Sequence, residues 1–406
     1  MTQPDGALGI ALFDEEFIQD PYPLYERMHM AGHVHRIGDS EFFAVSGWDA
    51  VNEAVTRCDD FSSNLTATMS YQPDGSVAPF PMGDLGGPTQ ALATADDPVH
   101  AVHRKALIPQ LAARRIFASE PLITATSAHL WETGVVDGRI EWMSAMANRL
   151  PMMIVGNIIG VPDTDVDQLV RWGYSATQVM EGLASEDELS AAGVAVLELS
   201  GYITEQFGSA TASPRDNLLG DLASACTSGE IDEIAALVIM ITLFSAGGES
   251  TASLIGSAAW MLATHPDVQQ QVRDQPELLG AFLEEVLRYE PPFRGHYRHV
   301  VNDTSLSGVD LKAGSRILLL WGAANRDPSH FQDPERFRLD RSGGKGHISF
   351  GKGAHFCVGA ALARLEAKIV LGDLLSRTSM IEPAATGRWL PSLLVRRLEH
   401  LELAVR

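Results

Sequence analysis

A glycine-rich string near the end of the chain surrounds a single cysteine. It reads Phe350-Gly351-Lys352-Gly353-Ala354-His355-Phe356-Cys357-Val358-Gly359. The three glycines permit positive φ and close backbone approach, so the chain can wrap the thiol without covering it. A helix is predicted to start directly after Cys357, and its free N–H groups and positive dipole end favour a thiolate over a thiol. The string therefore indicates a ligating cysteine; a buried cysteine in a glycine-rich turn is the alternative.

An acid lies inside the most apolar predicted helix, which spans residues 231–263. The segment around it is Ala246-Gly247-Gly248-Glu249-Ser250-Thr251. Burying a charge in such a helix costs free energy, so a functional role for this acid is expected. An acid followed by two alcohols could move a proton. The alternative for Ser250 is a structural role, in which its side chain stabilises a kink in the helix.

Two pairs of polar residues have helical spacing. His100 and Arg104 stand at i, i+4, and Glu285 and Arg288 at i, i+3, so each pair shares one helix face. A solvated basic face is the alternative for the first pair. For the second pair it is a surface ion pair.

Taken together, these motifs resemble the cytochrome P-450 family. The string around Cys357 is similar to the family's haem-binding loop, Phe-Gly-x-Gly-x-His-x-Cys-x-Gly, and the match continues through Ala363-Arg364. Four other family motifs occur in the right order, so the resemblance covers nearly the whole chain. In detail the sequence looks closest to an actinobacterial P-450 family, number 144. The resemblance implies a haem b cofactor whose iron is ligated axially by the Cys357 thiolate.

The resemblance also implies roles around the haem. The family pattern Ala-Gly-x-(Asp/Glu)-Thr matches here with Glu249 as the acid and Ser250 in place of threonine. In the family this helix bulges over the iron, and the acid and alcohol relay protons to the distal oxygen; Thr251 could partly substitute for the missing threonine. The implied cofactor-binding residues are His100, Arg104, Ala246, Gly247, Arg298, Phe350, Gly351, His355, Cys357 and Gly359.

Further residues are assigned through the same resemblance. Glu285, Arg288 and Arg336 are expected to form a buried network that holds the scaffold of the haem loop, with arginine suited to bidentate pairing. The irregular segment 61–98 is expected to cover the distal pocket, and the segment 172–199 to form its roof. The candidate pocket residues are Met69, Tyr71, Phe80, Met82, Leu85 and Phe293.

The elements that must position these residues are mainly helical. Helices are predicted from residue 22, over 48–56, over 276–289 and over 358–375, with a hairpin over 33–45 and short strands over 300–321. Nothing marks a second domain. We expect a mainly α fold with minor β, a single P-450 catalytic domain over 1–406 and no fused reductase or ferredoxin domain.

Composition narrows the partners and the compartment. The 406 residues carry a net charge of −22, so the chain lacks the basic character of a nucleic-acid-binding protein. Three distant cysteines form neither a disulfide framework nor a zinc site, and the acidic N-terminus is not a signal peptide. The longest apolar run, 234–244, is too short to span a membrane. A cytoplasmic protein is expected.

Electrons must then come from separate proteins, a ferredoxin and its ferredoxin reductase, so that NAD(P)H acts only indirectly. Two windows without acids, 98–119 and 341–364, are expected to form a basic docking face that includes Lys105, Arg115, Lys345 and Lys352. The substrate is expected to be small and hydrophobic, and azole-type inhibitors are expected to bind. Lipid, terpenoid, steroid, polyketide and aromatic substrates stay open.

Two other functions remain as alternatives. One is a haem-thiolate peroxygenase or reductase, and the other is a non-catalytic haem sensor or carrier of hydrophobic ligands. Peroxygenases of this kind commonly replace the acid–alcohol pair with Arg-Pro, and a sensor needs no distal acid. Glu249 with Ser250 therefore favours a monooxygenase.

Overall fold

Helices dominate the chain, as predicted. The computed structural model describes residues 6–82, 89–162, 166–213, 215–341 and 346–406. The α-helices are α1 (Ala7–Ile10), α2 (Glu15–Gln19), α3 (Tyr22–Ala31), α4 (Trp48–Thr56), α5 (Val99–Leu107), α6 (Ala113–Ala118), α7 (Glu120–Gly134), α8 (Arg149–Ile159), α9 (Val166–Gln178), α10 (Glu186–Ala212), α11 (Leu218–Thr227), α12 (Glu233–Leu243), α13 (Ser250–Thr264), α14 (Pro266–Asp274), α15 (Leu279–Tyr289), α16 (Trp321–Ala324) and α17 (Ala360–Arg377).

The strands form small sheets at the margins of the helical bulk. They are β1 (Val34–Arg36), β2 (Phe42–Val45), β3 (Phe61–Ser62), β4 (Ala67–Tyr71), β5 (Val77–Pro81), β6 (Arg139–Glu141), β7 (Gly295–Val300), β8 (Thr304–Leu306), β9 (Val309–Leu311), β10 (Arg316–Leu320), β11 (Ile381–Thr386) and β12 (Leu401–Val405). The largest sheet has the order β1-β2-β10-β7-β3, with β2 and β10 parallel and its other pairs antiparallel. A mainly α fold with minor β is therefore confirmed.

One continuous helical rod runs through the centre of the molecule. It consists of α12, a π-helical segment over Phe244–Glu249, and α13. The Asp232 side chain caps its start by accepting the N–H groups of Ile234 and Ala235. Residues of α13 are buried against α15 and α17 in the largest apolar core.

By length and composition, this rod could cross a membrane, and it is the one such helix in the described part of the chain. It spans Glu233–Thr264, which confirms the helix predicted over 231–263, and it continues past the apolar run 234–244 through glycines, serines and Glu249. Half of its most apolar window is buried inside the protein. A core helix of a globular protein meets the same criteria.

The segment between residues 61 and 98 differs most from prediction. Instead of an irregular loop it contains β3, the antiparallel hairpin of β4 and β5, and a short 3-10 helix over Leu92–Thr94. The turn between the two hairpin strands includes Gly75 at φ +84°. Leu85 lies outside the described residues.

Candidate functional site

The thiol of Cys357 faces an internal cavity at the start of α17. Gly351 and Gly353 have φ of +67° and +71°, the left-handed region that glycine enters without strain. The N–H of Cys357 donates to the carbonyl of Phe350 at 2.9 Å, which closes the loop around the thiol. Phe350, Gly351, Cys357 and Gly359 all line the cavity. The loop therefore leaves one sulfur atom accessible in the cavity, as the glycine spacing predicts.

Burial raises the pKa of the Cys357 thiol in the protein alone. The N–H groups of Gly359 and Ala360 oppose this effect, as do the positive charges of Arg104 and Arg364. The helix start thus favours the thiolate, as predicted, but burial outweighs it. A bound cation would supply the missing stabilisation, because a metal ion deprotonates a coordinating thiol.

Four basic side chains line the same cavity. His100 and Arg104 project from one face of α5, Arg298 from β7 and His355 from a 3-10 turn next to the cysteine. The rings of His100 and His355 lie 4.0 Å apart. Burial, together with His100 and Arg298, lowers the pKa of His355 to about 4. The structure brings these four predicted residues together, where the arginines could neutralise carboxylates of a bound group and the neutral His355 ring could donate a hydrogen bond to them.

His296 joins this set, although the sequence analysis assigned it no role. Its ring contacts the cavity, and its Nδ1 accepts a hydrogen bond from Trp321 Nε1 at 2.6 Å. Burial lowers the pKa of His296 to about 3, with Arg298 and His355 adding to the effect. The ring is neutral, with its proton on Nε2. The alternation of side chains along a strand could have predicted it, because His296 and Arg298 are two residues apart on β7 and so face the same side of the sheet.

The central rod widens where it meets the cavity. The π-helical segment holds Ala246 and Gly247, which line the cavity together with Ser250 and Thr251. A Cβ on Gly247 would lie 2.8 Å from Val155 Cγ2, so only glycine lets α8 pack this closely. The Ser250 hydroxyl donates to the Ala246 carbonyl at 2.5 Å. The predicted bulge is present, and the serine both braces it and faces the cavity.

Glu249 points to the other side of the rod. Its Oε1 accepts from Arg397 Nε at 3.2 Å, and its Oε2 has no hydrogen-bond partner among the described residues. It does not line the cavity that Ser250 and Thr251 line. Burial raises the pKa of Glu249, while Arg397 and the hydroxyl of Thr177 oppose the rise. An acid whose pKa is raised thus lies behind the two alcohols.

A buried ion-pair network supports the loop from below, and one predicted member is wrong. Arg288 pairs with both oxygens of Glu285, at 2.8 and 2.7 Å. The second arginine on Glu285 is Arg341, whose Nε lies 2.9 and 3.1 Å from the two carboxylate oxygens. The Arg336 side chain is 72% exposed and contributes only its backbone carbonyl, which accepts from Arg288 and Arg341. The chain turns between residues 336 and 341, so the later arginine reaches inward.

A neighbouring acid joins the network to the haem-loop helix. Glu284 accepts from Arg364 at 2.6 and 2.9 Å and lies 3.2 Å from His347 Nε2. Although burial raises its pKa, His347 and Arg364 hold the pKa of Glu284 at about 2. The Arg364 guanidinium also lies over the Phe350 ring, 4.4 Å from its centroid. The ion pair therefore fixes α17 relative to α15.

Four of the predicted pocket residues do not reach the cavity. Met69 is fully buried in a separate apolar cluster, and Tyr71 is exposed and stacked on Phe13 at 4.7 Å. Phe80 and Met82 also lie outside the cavity lining. The reason is the β4–β5 hairpin, which directs its side chains onto the N-terminal helices and into solvent. Phe293 does line the cavity.

The residues that surround the cavity suit a haem. Its walls are largely apolar, with Val155, Leu243, Leu287 and Phe293 among the lining side chains. One thiol and a group of basic side chains face this apolar space. That combination matches a flat apolar macrocycle that carries an iron atom and two carboxylates.

Comparisons with known proteins agree with this site. A family model described as Cytochrome P450 matches residues 211–391. The chain is 68% identical over 394 residues to Cytochrome P450 144 of Mycobacterium tuberculosis, covering 97% of this chain and 91% of that protein. It resembles P450BioI in complex with hexadec-9Z-enoic acid ligated acyl carrier protein (TM-score 0.84, 28% identity, 97% and 100% coverage). It also resembles CYP109E1 from Bacillus megaterium in complex with testosterone (TM-score 0.86, 28% identity, 97% and 100% coverage).

The chain therefore belongs to the cytochrome P450 family and is a P450 monooxygenase enzyme that uses haem. The high identity to Cytochrome P450 144 confirms the predicted resemblance to family 144.

Proposed function

We propose that this chain inserts one atom of dioxygen into a small hydrophobic substrate, with electrons from a ferredoxin and its reductase. One observation carries the proposal: the Cys357 thiol and the widened turn of the central rod face the same apolar cavity. Residues 1–406 act as one catalytic domain in the cytoplasm, and NAD(P)H contributes only through the redox partners.

The cofactor in this proposal is haem b, whose iron the Cys357 thiolate would ligate. His100, Arg104, Arg298 and His355 hold the two propionates, and His296 adds a neutral Nε2–H donor. When bound, the haem supplies the activation of dioxygen. Phe350 and Leu287 exclude water from the ligand side by filling the apolar wall.

The alcohols of the widened turn present protons to the cavity in this proposal. The Ser250 hydroxyl donates its hydrogen to the Ala246 carbonyl, so its oxygen is left to accept a hydrogen bond from the Thr251 hydroxyl or from a water in the cavity. Glu249 acts from behind them as the source of protons, since burial raises its pKa and so favours the protonated form. Arg397 keeps that carboxyl turned away from substrate.

A hydrophobic substrate is supported by the lining of the cavity and by the similar structures. Apolar side chains make up most of the wall. P450BioI is seen with hexadec-9Z-enoic acid ligated to acyl carrier protein and CYP109E1 with testosterone, and both the acyl chain and the steroid are apolar. Azole-type inhibitors, which combine an apolar body with a ligating nitrogen, suit the same space.

The electron donor is proposed to dock beside the cysteine loop. Four of the basic residues in the two predicted windows are already in ion pairs: Lys105 with Glu230, Arg115 with Asp216, Arg341 with Glu285 and Arg364 with Glu284. Lys345 lies outside the described residues. Arg114 and Lys352 are free of ion pairs within the described ranges. They are the cations best placed to attract an acidic ferredoxin, next to the exposed apolar side chains of Ile108 and Phe356.

The experiment that tests this function is a ligand screen followed by turnover. Compounds that shift the Soret band of the ferric haem protein are supplied with a ferredoxin, its reductase, NADH and oxygen. Oxygenated product formed in proportion to NADH supports the proposal. Ligand binding without product, under conditions in which the haem is reduced, would support the sensor or carrier alternative instead.

A further inference from the structure

A second cavity opens between α3 and the segment 326–335. Its volume is about 380 Å³, which lies within the range of small-molecule sites. Among the described residues it shares no lining side chain with the haem cavity. The residues that line it have no role in the function proposed above, so the monooxygenase activity does not account for this pocket.

One wall of the pocket holds a buried arginine, Arg326. It is 8% exposed, and its guanidinium lies between the rings of Tyr22 and Tyr289, 3.3 and 3.6 Å from their centroids. Its Nη2 donates to the Tyr289 carbonyl at 3.0 Å, while neither Nε nor Nη1 has a hydrogen-bond partner among the described residues. The two rings stabilise the positive charge, but they leave part of the edge of the guanidinium without an acceptor.

The acids next to Arg326 and Tyr289 in the chain are bonded to other groups. Asp327 accepts the N–H of Trp48 at 2.7 Å. Glu290 pairs with Arg396 at 2.8 Å. An arginine is almost never buried this deeply without an anionic partner, so a carboxylate supplied by a ligand would complete the site at Arg326.

Two exposed glutamates line the same pocket, one on each wall. Glu26 belongs to α3 and Glu335 to the segment 326–335. In the described structure neither forms an ion pair with Arg326, and the contact of Glu335 with the exposed Arg336 is long, at 3.8 Å. His29 adds no positive charge, because burial lowers its pKa. The two glutamates would oppose a simple anion but would attract an ammonium group.

Aromatic and apolar side chains form the rest of the lining. The Tyr25 ring is buried, whereas Met30 is 81% exposed. Pro328 and Pro334 lie on the other wall, where their fixed backbone angles make the surface rigid. A flexible methionine facing a rigid wall suits an apolar body of variable shape.

We propose that this pocket is a second ligand site, which binds a small zwitterion of the amino-acid type with an apolar side chain. The carboxylate binds the free edge of Arg326, and the ammonium group lies between Glu26 and Glu335. The apolar side chain packs against Met30 and the two prolines. The ligand binds without covalent change and away from the haem.

Calorimetric titration of the haem-loaded protein with L-phenylalanine and L-leucine tests the site. Both should bind saturably without a shift of the Soret band. The analogues 3-phenylpropanoate, which lacks the ammonium group, and 2-phenylethylamine, which lacks the carboxylate, should bind more weakly than L-phenylalanine, the amine by about tenfold or more. No saturable binding of either amino acid, or equal affinity for L-phenylalanine and 2-phenylethylamine, would overturn the proposal. So would binding with a Soret shift, which would place the ligand in the haem cavity.

Variants then locate the ligand. Arg326→Gln should weaken L-phenylalanine binding by about ten- to hundredfold, and the double variant Glu26→Gln/Glu335→Gln by about two- to tenfold. The matched controls are Arg27→Gln, on α3, and Glu132→Gln, on α7, because both side chains are exposed and neither lines the pocket. Both controls should bind as the wild type does. If Arg326→Gln fails to fold, the double variant still decides, since both of its glutamates are exposed. Wild-type affinity in the double variant or in a folded Arg326→Gln would overturn the site.

Discussion

The buried network beneath the haem loop makes a sharp prediction about two arginines. Arg341 and Arg336 are five residues apart, and either could serve as the second arginine on Glu285 by sequence. The structure gives Arg341 five hydrogen bonds: two to Glu285 and three to the carbonyls of Gln332, Asp333 and Arg336. The side chain of Arg336 is largely in solvent. Arg341→Gln should therefore destabilise the protein, and Arg336→Gln should not.

The expected magnitudes follow from burial. Breaking a buried ion pair by removal of one partner costs about 3–5 kcal/mol. Glu285 keeps its bidentate bond to Arg288 and a hydrogen bond from the Arg338 N–H. Arg341→Gln should therefore lower the free energy of unfolding by about 3 kcal/mol, the lower end of that range. Arg336→Gln should change the free energy of unfolding by no more than about 0.5 kcal/mol, because the side chain is exposed and its acidic partner is distant.

The assay is urea unfolding of the haem-loaded variants, followed by far-ultraviolet circular dichroism and by the Soret band. Arg341→Gln should unfold at a lower midpoint and lose its haem signal first, since the network lies directly under the loop. Arg336→Gln should match the wild type. If Arg336→Gln is destabilised as much as Arg341→Gln, or if Arg341→Gln is unaffected, the network described here is wrong.

Three further predictions concern charge. The pKa of Glu284 is held at about 2 instead of 4.5, so its ionised form contributes about 3 kcal/mol to the free energy of unfolding. This contribution is complete above pH 4.5 and is lost as the pH falls toward 2. Glu284→Gln should therefore reduce the pH dependence of stability in this window, and an unchanged acid-unfolding profile would refute the ion pair. Glu249→Gln should slow product formation by roughly 10²–10⁴-fold, whereas Ser250→Ala should mainly divert NADH to hydrogen peroxide; unchanged coupling in both variants would leave the pair a structural role. Charge reversal at Arg114 and Lys352 should slow reduction by ferredoxin and flatten its dependence on ionic strength, with ligand binding intact; wild-type reduction in low salt would place the docking face elsewhere.

Local patterns predicted the parts of the site that are local in the chain. The glycines around Cys357 sit within a few residues of the thiol, and the spacing of His100 and Arg104 places both on one helix face. The widened turn at Ala246 and Gly247 likewise follows from one short segment. In each case the residues that carry the chemistry also determine the backbone that holds them.

Contacts between distant segments could not be predicted in this way. The partner of Glu249 is Arg397, 148 residues later, and no sequence pattern near Glu249 predicts this contact. Met69, Tyr71, Phe80 and Met82 were wrongly assigned to the pocket, because the strands that carry or adjoin them pair into a hairpin whose register is set by backbone hydrogen bonds. The mistake about Arg336 has the same origin, since only the path of the chain decides which arginine reaches Glu285.

The central claim is that Cys357 is the thiolate ligand of a haem. Its most direct measurement is the absorption spectrum of the reduced, carbon-monoxide-bound protein. The wild type, Cys58→Ala and Cys226→Ala should all give the thiolate-type spectrum, because neither of the other cysteines lines the cavity. Cys357→Ala should lose it completely. A thiolate-type spectrum that survives in Cys357→Ala would contradict the assignment of the ligand and the function built on it.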